Sequence, residues 1–351
     1  MTGQLQEEKV IVSDEKKGNQ LYNKGYFGNP MSGGGVELDL YEALYLYEAE
    51  RLEISNDPDQ IMDRDGLWQH SLKREEEFSL KYPIYRDMRR RGYVVKTASR
   101  PADFRVFPRG GGPGKTQSKF WLCGRAETDE FSINEIEGIC RRVTDLKKTL
   151  LFGLLDEEGD VTYYNISTID LKGSNKKIDG KYHATLTKNK CFVDETGKAL
   201  REEGFYGKER GNVIQLSLVE TSYLLSQRNL RVYEGRTGEE LDLVDFREHG
   251  KKVQRDFELR ENIYEDLRDN GLIPKTGFKY GTAFRAYKKN PEQHHAECLI
   301  HPIEHDFRTS WYEVSRFVRL AHSVRKEFIF GKDTESEDEE PSYIKVKRET
   351  P

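Results

Sequence analysis

The chain has 351 residues and a formal net charge of −5, with 57 Lys and Arg against 62 Asp and Glu. A chain of this length exceeds the usual single hydrophobic core, so we expect two or more domains. The negative net charge speaks against a protein that coats nucleic acid without selectivity, although a local basic patch can still bind a polyanion.

The cysteines indicate the cellular setting. There are four, without the paired spacing of a metal site: Cys123, Cys140, Cys191 and Cys298. This pattern favours free thiols in a reducing compartment, so a cytoplasmic protein is expected. Since no stretch resembles a signal peptide or a membrane span, no membrane partner is expected either.

Short segments recur along the chain at a nearly constant spacing of 178 to 180 residues. The matching pairs are 25–28 with 204–207, 40–46 with 218–224, 85–92 with 264–271, and 104–107 with 284–287. So many matches at one spacing predict a tandem duplication of a mixed α/β unit.

Each repeat is predicted to have two parts. The first contains a Gly-rich segment and a helix, at 39–51 in repeat one and at 217–227 in repeat two. The second is predicted as a helix, three strands, a capped helix, a strand, an acidic turn and a last strand. The predicted domains are 1–82, 83–170, 171–261 and 262–351, with a linker at 172–177.

The last domain is predicted to begin with two strands that matter for the site. Residues 284–287 alternate between apolar and polar side chains, as in a half-buried strand. A second strand is predicted from His295 to Pro302, where the proline is expected to stop it. His295 would therefore stand at the beginning of a strand, near a loop.

A helix is predicted to follow these strands. Ser310 with Glu313 has the spacing of a capping box, and apolar residues then recur at helical intervals. Ser132 with Glu135 predicts the same box in repeat one. The polar face of the helix in repeat two would carry Arg319 and Lys326, two turns apart or roughly 10 Å.

The two predicted strands and the predicted helix carry a tyrosine, a histidine and a lysine: Tyr287, His295 and Lys326. Such a trio can perform acid–base chemistry without a metal. Repeat one keeps the lysine, as Lys148, but has Phe107 and Gln117 at the positions that match Tyr287 and His295. Phenylalanine has no ionisable oxygen and glutamine cannot exchange a proton near neutrality, so repeat one is predicted to be inert.

Three segments of repeat two carry a resemblance to a known family. They are Lys275-Thr-Gly-Phe-Lys-Tyr-Gly281 with Phe284-Arg-Ala-Tyr287, the His295 segment, and Val318-Arg-Leu-Ala-His-Ser-Val-Arg-Lys326. They look like the catalytic domain of the archaeal tRNA-splicing endonucleases. The duplication resembles the form in which a pseudo-catalytic copy and a catalytic copy share one chain, which then forms a homodimer. This implies a restriction-endonuclease-like α/β subdomain in each repeat.

The resemblance also implies a substrate and a mechanism. The substrate would be precursor tRNA with a bulge–helix–bulge motif, cut by attack of a ribose 2′-OH on its own 3′-phosphate to leave a 2′,3′-cyclic phosphate and a 5′-OH. Tyr287 would act as general base, His295 as general acid and Lys326 as stabiliser of the transition state. Arg319 and Arg348 would bind unpaired bases. No metal or other cofactor is implied.

An acidic turn is predicted between the last two strands of repeat one, with Asp156, Glu157, Glu158 and Asp160. By itself such a turn is a solvated loop. In the family that the chain resembles, an acidic loop at this place docks into a positive groove of the partner chain, and the resemblance therefore implies a dimer contact here.

Three other hypotheses remain open. A zinc cluster could use His294, His295, Cys298, His301 and His305, although strand alternation would point Cys298 away from its neighbours. Pro58-Asp59 could open a metal-dependent nuclease motif, but no Glu-x-Lys follows. A non-catalytic RNA-binding or assembly subunit would explain the repeats and the arginines, but not why tyrosine, histidine and lysine coexist only in repeat two.

Overall fold

A computed structural model of the chain describes residues 1–57, 60–336 and 339–351. It has a mixed α/β fold in which the same order of elements occurs twice, as the duplication predicts. Within those ranges, none of the helices combines the length and apolar character that crossing a membrane requires.

The first half of repeat one is a small sheet covered by helices. Its strands are β1 (Thr2–Gln6), β2 (Lys9–Val12), β3 (Asn29–Pro30), β4 (Val36–Asp39), β5 (Glu53–Asp57) and β6 (Gln60–Ile61), and its helices are α1 (Glu15–Gly25), α2 (Leu40–Glu48) and α3 (Arg64–Arg74). The sheet order is β3-β4-β2-β1-β5-β6. Helix α2 begins at a reciprocal capping box of Asp39 and Glu42, the arrangement that satisfies the free N–H groups of a first turn.

The second half of repeat one follows the predicted order of elements. It contains α4 (Phe78–Arg90), β7 (Val94–Thr97), β8 (Phe104–Phe107), β9 (Phe120–Ala126), β10 (Glu130–Ser132), α5 (Ile133–Asp145), β11 (Thr149–Leu155) and β12 (Val161–Thr168). Sequence reasoning missed only the short strand β10.

The first half of repeat two repeats the small sheet. It contains β13 (Tyr182–Leu186), β14 (Cys191–Val193), a 3-10 turn (Glu195–Gly197), α6 (Lys198–Glu202), β15 (Lys208–Arg210), β16 (Val213–Leu216), α7 (Leu218–Ser226), β17 (Leu230–Glu234), β18 (Glu240–Leu241) and α8 (Leu243–Val253). Its order, β15-β16-β14-β13-β17-β18, matches that of repeat one. A second reciprocal capping box, of Ser217 and Glu220, begins α7.

The second half of repeat two completes the chain. It contains α9 (Phe257–Asp269), β19 (Ile273–Thr276), a 3-10 turn (Phe278–Tyr280), β20 (Phe284–Tyr287), β21 (Cys298–Ile303), β22 (Arg308–Ser310), α10 (Trp311–Ser323), β23 (Glu327–Lys332) and β24 (Ser342–Glu349). The predicted domain boundaries at 82/83 and 261/262 fall inside α4 and α9. We propose boundaries before residues 78 and 257 instead, because these keep both helices whole.

The second halves of the two repeats join in one sheet. Its strand order is β19-β20-β21-β23-β24-β12-β11-β9-β8-β7, and the order reads the same way from either end. The repeats meet where β12 pairs antiparallel with β24, from Tyr163 opposite Glu349 to Thr168 opposite Ile344. A second antiparallel contact joins β10 to β22. Repeat one therefore fixes the position of repeat two through main-chain hydrogen bonds.

Apolar packing reinforces this junction. One core contains buried side chains of both repeats under α5 and α10, including Phe131, Phe152, Trp311 and Phe330. The Trp311 ring lies 4.7 Å from that of Phe152 and 5.0 Å from that of Phe131, measured between centroids. Two further cores fill the opposite face of the sheet, one in each repeat, and continue into the small sheets.

The predicted helix caps are only partly confirmed. The Ser310 side chain accepts the N–H of Glu313 at 3.4 Å, but the reciprocal bond of a capping box is not formed. In repeat one, Ser132 makes no side-chain cap bond. The Glu135 carboxylate accepts instead from Arg125, at 3.0 Å.

Candidate active site

Tyr287 is the last residue of β20, opposite Ile273 of β19. Its side chain is buried with Ile273 and Ala296 in a small apolar cluster, against which Phe205 packs. The Arg285 guanidinium lies 5.7 Å from the centre of the Tyr287 ring. The Tyr287 hydroxyl makes no hydrogen bond with the described residues and is not among their fully buried unpaired polar atoms, so this oxygen is available to a substrate.

The position predicted for His295 at the beginning of a strand is wrong. Strand β21 begins at Cys298, and His295 is an exposed residue of the loop 288–297 that precedes it. Strand β20 ends at Tyr287, so no neighbouring backbone can extend the ladder to His295. The same loop is closed by an ion pair of 2.8 Å between Lys288 and Glu297.

Pro302 also does not end the strand, which runs on to Ile303. Strand β20 pairs with β21 only as far as Ile300, so at Pro302 the strand has one neighbour, Gly331 of β23. A proline is tolerated at such an edge because its missing N–H breaks no ladder bond.

Lys326 lies beyond the helix on which it was predicted. Helix α10 ends at Ser323, and Arg325 takes the left-handed conformation with φ of 54°. The Lys326 N–H then donates to the Ala321 carbonyl at 3.0 Å, which ends the helix as a left-handed C-terminal turn does. The predicted common helical face of Arg319 and Lys326 is therefore wrong.

The turn nevertheless directs Lys326 to the other two residues. Its Nζ donates to the Ala296 carbonyl at 2.8 Å. Ala296 directly follows His295 in the chain and packs in the same apolar cluster as Tyr287. The structure thus places Tyr287 and Lys326 around one alanine, and exposed His295 directly precedes that alanine in the chain, at the end of the sheet where β20 stops.

Repeat one has the same backbone with different chemistry. Lys147 is left-handed with φ of 54°, as Arg325 is, and the Lys148 N–H donates to Val143 at 3.0 Å. The Lys148 Nζ donates to the Gln117 side chain at 2.9 Å. Phe107 ends β8 where Tyr287 ends β20. This site can hold a charge but has neither the phenol nor the imidazole.

The two repeats also differ at the arginine of the last helix. In repeat one, Arg141 donates to the Glu137 carboxylate at 3.1 Å. In repeat two the position of Glu137 is taken by Ser315, and the exposed Arg319 makes no hydrogen bond or ion pair with the described residues. The guanidinium of Arg319 is therefore free to bind a ligand.

Arg348 is exposed on β24, where it pairs with Tyr164 of repeat one. On the other side of β24, Val346 lies opposite Phe328 of β23. Extending this antiparallel register by two residues places Arg348 opposite Lys326, at the end of the sheet that carries the site. The register therefore supports the predicted position of Arg348 beside the site.

Known proteins match the chain in both of its repeated parts. A model described as the tRNA intron endonuclease catalytic C-terminal domain matches residues 78–163 and 257–339, and a model of the N-terminal domain of the same family matches 1–68 and 182–247. The chain belongs to the tRNA intron endonuclease family. Because each family domain occurs twice, the predicted tandem duplication is confirmed.

Relatives from archaea align over nearly the whole chain. A protein of Methanococcoides burtonii named tRNA-splicing endonuclease is 34% identical over 357 residues, covering 99% of each chain. One of the same name from Methanosarcina mazei is 35% identical over 356 residues, covering 98% of each. Another from Halobacterium salinarum is 29% identical over 372 residues, covering 100% of each. The predicted resemblance to archaeal members of the endonuclease family is confirmed.

The acidic turn of this endonuclease is exposed and ordered by its own first residue. The Asp156 carboxylate accepts the N–H groups of Glu158 and Asp160, at 3.1 and 2.8 Å. Gly159 has φ of 85°, a conformation that glycine adopts without strain. Among the described residues none pairs with the exposed carboxylates of Glu157, Glu158 and Asp160, so they can meet a partner. The matching insertion 332–340 of repeat two includes residues 337–338, which lie outside the described part.

The predicted zinc ligands are not arranged as a metal site. In the described part of the chain, no three His, Cys, Asp or Glu residues are grouped so that they could bind a metal ion. Cys298 is buried, and His301 packs its ring 4.8 Å from that of Phe317. His305 lies 3.7 Å from the Glu335 carboxylate. Pro58-Asp59, the other metal-site hypothesis, lies outside the described residues.

Several contacts beside the site were missed by sequence reasoning. Phe278, on the 3-10 turn before β20, is 86% exposed, and two residues further Tyr280 places its ring 5.8 Å from the Lys326 ammonium. Phe205 and Arg201 reach the site from the first half of repeat two. Phe278 could have been noticed in the sequence, because it is an aromatic residue in a turn flanked by glycines. No local pattern indicates Phe205 or Arg201.

Proposed function

We propose that the chain is a tRNA-splicing endoribonuclease that removes introns from precursor tRNA at bulge–helix–bulge sites. The observation that carries this proposal is that Tyr287 packs in the cluster of Ala296, the carbonyl of Ala296 accepts from Lys326, and His295 directly precedes Ala296 in the chain. The same backbone in repeat one has Phe107 and Gln117 instead. A subunit that only binds RNA has no use for this difference.

In the proposed reaction, one proton is taken from the attacking 2′-oxygen and another is given to the leaving 5′-oxygen. The ribose 2′-oxygen attacks the adjacent phosphorus while its proton passes to Tyr287, which must react as its phenolate and becomes a phenol, and the bond from phosphorus to the 5′-oxygen breaks. His295 donates a proton to that leaving oxygen. The products are a 2′,3′-cyclic phosphate and a 5′-OH. The chemistry belongs to side chains alone, so we propose that it needs no metal.

Lys326 is proposed to stabilise the negative charge that develops on the phosphate oxygens. Its Nζ is held by the Ala296 carbonyl at 2.8 Å. A donor that is already oriented costs no reorganisation when charge develops, which is the reason such groups accelerate reactions. The ammonium also lies 5.8 Å from the centre of the Tyr280 ring, within the range of a cation–π contact.

Arg319 and Arg348 are proposed to bind the unpaired bases of the bulge. A guanidinium plane can stack on a base, a cation–π contact worth about 0.5 to 2 kcal/mol. Arg319→Ala should weaken cleavage, and Arg319→Lys should restore little because the plane is lost. Arg141→Ala is the matched control, because that arginine is engaged by Glu137, and it should leave cleavage unchanged. Equal cleavage by Arg319→Lys and the wild type would assign Arg319 a role of charge alone.

The active molecule is proposed to be a homodimer with two sites, which suits an RNA with two bulges. The exposed carboxylates of the acidic turn in repeat one would meet a basic surface of the partner subunit. Repeat one would then act in assembly while repeat two performs the chemistry.

The deciding experiment incubates the full chain with an intron-containing precursor tRNA in EDTA and analyses the ends of the products. We expect cleavage at both bulges, cyclic phosphate and 5′-OH ends, and loss of cleavage in Tyr287→Phe and His295→Ala. Products with a 3′-OH, or loss of activity in EDTA, would contradict the mechanism. Tight RNA binding without any cleavage would favour the non-catalytic RNA-binding or assembly subunit.

A further inference from the structure

The loop 288–297, which carries His295 and Ala296, is contacted by segments outside its own domain. The contacts come from the linker and from the first half of repeat two, at Ser174, Arg201 and Phe205. None of these residues has acid–base chemistry to offer the reaction. Their shared target is the loop that links Tyr287 to His295.

The first contact fixes the beginning of the loop. Ser174 donates twice to the Lys288 carbonyl, from its N–H at 3.0 Å and from its Oγ at 3.1 Å. Lys288 directly follows Tyr287 in the chain. The linker lies so close here that a Cβ on Gly173 would come within 2.1 Å of the Gly271 carbonyl oxygen. Only glycine permits this approach.

The second contact fixes the middle of the loop. Arg201 of α6 forms an ion pair with Glu292, which lies three residues before His295. The side chain of Arg201 is 30% exposed and that of Glu292 is 58% exposed. A pair this exposed adds little to overall stability, since such pairs contribute about 0 to 1 kcal/mol. Its effect is local, because it restricts where the loop can lie.

The third contact supports Tyr287 itself. Phe205 is left-handed with φ of 56°, an uncommon conformation for a residue with a side chain. This conformation turns the ring onto the apolar cluster of Ile273, Tyr287 and Ala296. The cluster contains the proposed base and the residue whose carbonyl positions Lys326.

We propose that the linker and the first half of repeat two position the 288–297 loop for catalysis, so that Ser174, Arg201 and Phe205 are positioning residues. The inference rests on the proposed function, because it assigns these contacts an effect on the cleavage rate. A displacement of catalytic groups by about 1 Å can cost on the order of 10²-fold in rate, so contacts of modest strength can matter.

Repeat one supplies a matched control. Tyr26 is left-handed with φ of 54°, as Phe205 is, and it follows α1 at the equivalent place. Its ring lies against Gly112, so that a Cβ there would come within 2.5 Å of the tyrosine. Gly112 belongs to the loop that carries Gln117. Tyr26→Leu therefore makes the same kind of change beside a site that performs no chemistry.

The test measures single-turnover cleavage of precursor tRNA at saturating enzyme, RNA affinity, and hydrogen exchange of the 288–297 loop by mass spectrometry. We expect Phe205→Leu to lower the rate about tenfold, with RNA affinity unchanged and exchange in the loop increased. Arg201→Glu should lower the rate by a few-fold, and Arg201→Glu with Glu292→Arg should restore it. Tyr26→Leu should leave rate and loop exchange unchanged.

If the wild type is active, either of two outcomes would overturn the inference. One is a cleavage rate of Phe205→Leu within about twofold of the wild type, and the other is an equal loss of rate in Tyr26→Leu. Failure of the proposed function is distinguishable, because the wild type itself would then not cleave. In that case, hydrogen exchange still tests whether Phe205 holds the loop. Unchanged exchange in Phe205→Leu shows that the loop is not held by this contact, and increased exchange shows that it is.

Discussion

Replacing Lys326 by alanine tests the site most directly, because Lys148 is its counterpart in repeat one. Each lysine follows a left-handed residue and donates one hydrogen bond from Nζ, to Ala296 at 2.8 Å and to Gln117 at 2.9 Å. Both lysines are half-buried. Loss of one such bond costs about 1 kcal/mol, so Lys326→Ala and Lys148→Ala should lower the free energy of unfolding by similar amounts.

The cleavage rates should differ far more than the stabilities. Removal of one donor that stabilises a transition-state oxyanion typically costs about 10²- to 10³-fold. Lys326→Ala should therefore slow single-turnover cleavage by that factor. Lys148 has Phe107 and Gln117 where Lys326 has Tyr287 and His295. Its replacement should leave the rate within about twofold of the wild type.

The assay uses enzyme in excess over labelled precursor tRNA, with affinity measured separately and unfolding followed in urea. A slow Lys326→Ala variant that still binds RNA assigns the lysine to the chemical step. Comparable rate losses in both variants, at equal stability, would refute the reasoning, because repeat one would then contribute to the chemistry. A rate loss matched by an equal loss of RNA affinity would assign Lys326 to binding alone.

Three further variants test stability and assembly. Burial lowers the pKa of His301, and the Arg260 charge lowers it further. The unfolded chain therefore binds the proton more readily than the folded chain. The free energy of unfolding should decrease as the pH drops below about 6.5. His301→Leu should flatten this fall in urea unfolding, and an unchanged slope would contradict it. Lys275→Met leaves the buried Glu220 carboxylate without its ammonium, 3.3 Å away, and should cost about 3 kcal/mol in the same measurement. Glu157→Lys with Glu158→Lys should give monomers in sedimentation and abolish cleavage, whereas an intact dimer with full activity would show that docking occurs elsewhere.

The duplication could be predicted because it leaves a direct trace in the sequence. The spacing that matches Lys148 with Lys326 also matches Lys147 with Arg325, and both of those residues have φ of 54°. Alternation in 284–287 and helical spacing after Ser310 likewise predicted β20 and α10. These features are local, so a short window of sequence contains them.

Features set by neighbouring backbones could not be predicted in this way. The beginning of β21 depends on where β20 ends, and Pro302 is accepted because β20 has already ended there. The end of α10 depends on Arg325 in a conformation that usually indicates glycine, so the sequence carries no signal for it. For this reason the sequence predicted the wrong elements for His295 and Lys326, although Lys326 contacts Ala296 and His295 directly precedes it in the chain.

Long-range contacts are harder still to read from sequence. Ser174 and Lys288 are separated by 114 residues, and Arg201 and Glu292 by 91. Neither pair lies in a periodic pattern. The sequence therefore predicts only a linker at 172–177, although its main-chain N–H groups donate hydrogen bonds to the second half of repeat two.

The junction between the repeats explains why a copy without the acid–base residues is still needed. Without repeat one, β24 would lose its antiparallel partner β12 and become an exposed edge, a common route to aggregation. The Trp311 ring, 1% exposed in the intact chain, would lose Phe131 and Phe152. Both losses fall on the strand that carries Arg348 and the helix that carries Arg319. The presence of Phe107 and Gln117 in place of a tyrosine and a histidine leaves all these contacts intact. Repeat one can therefore lack the acid–base residues, but it cannot lose its packing.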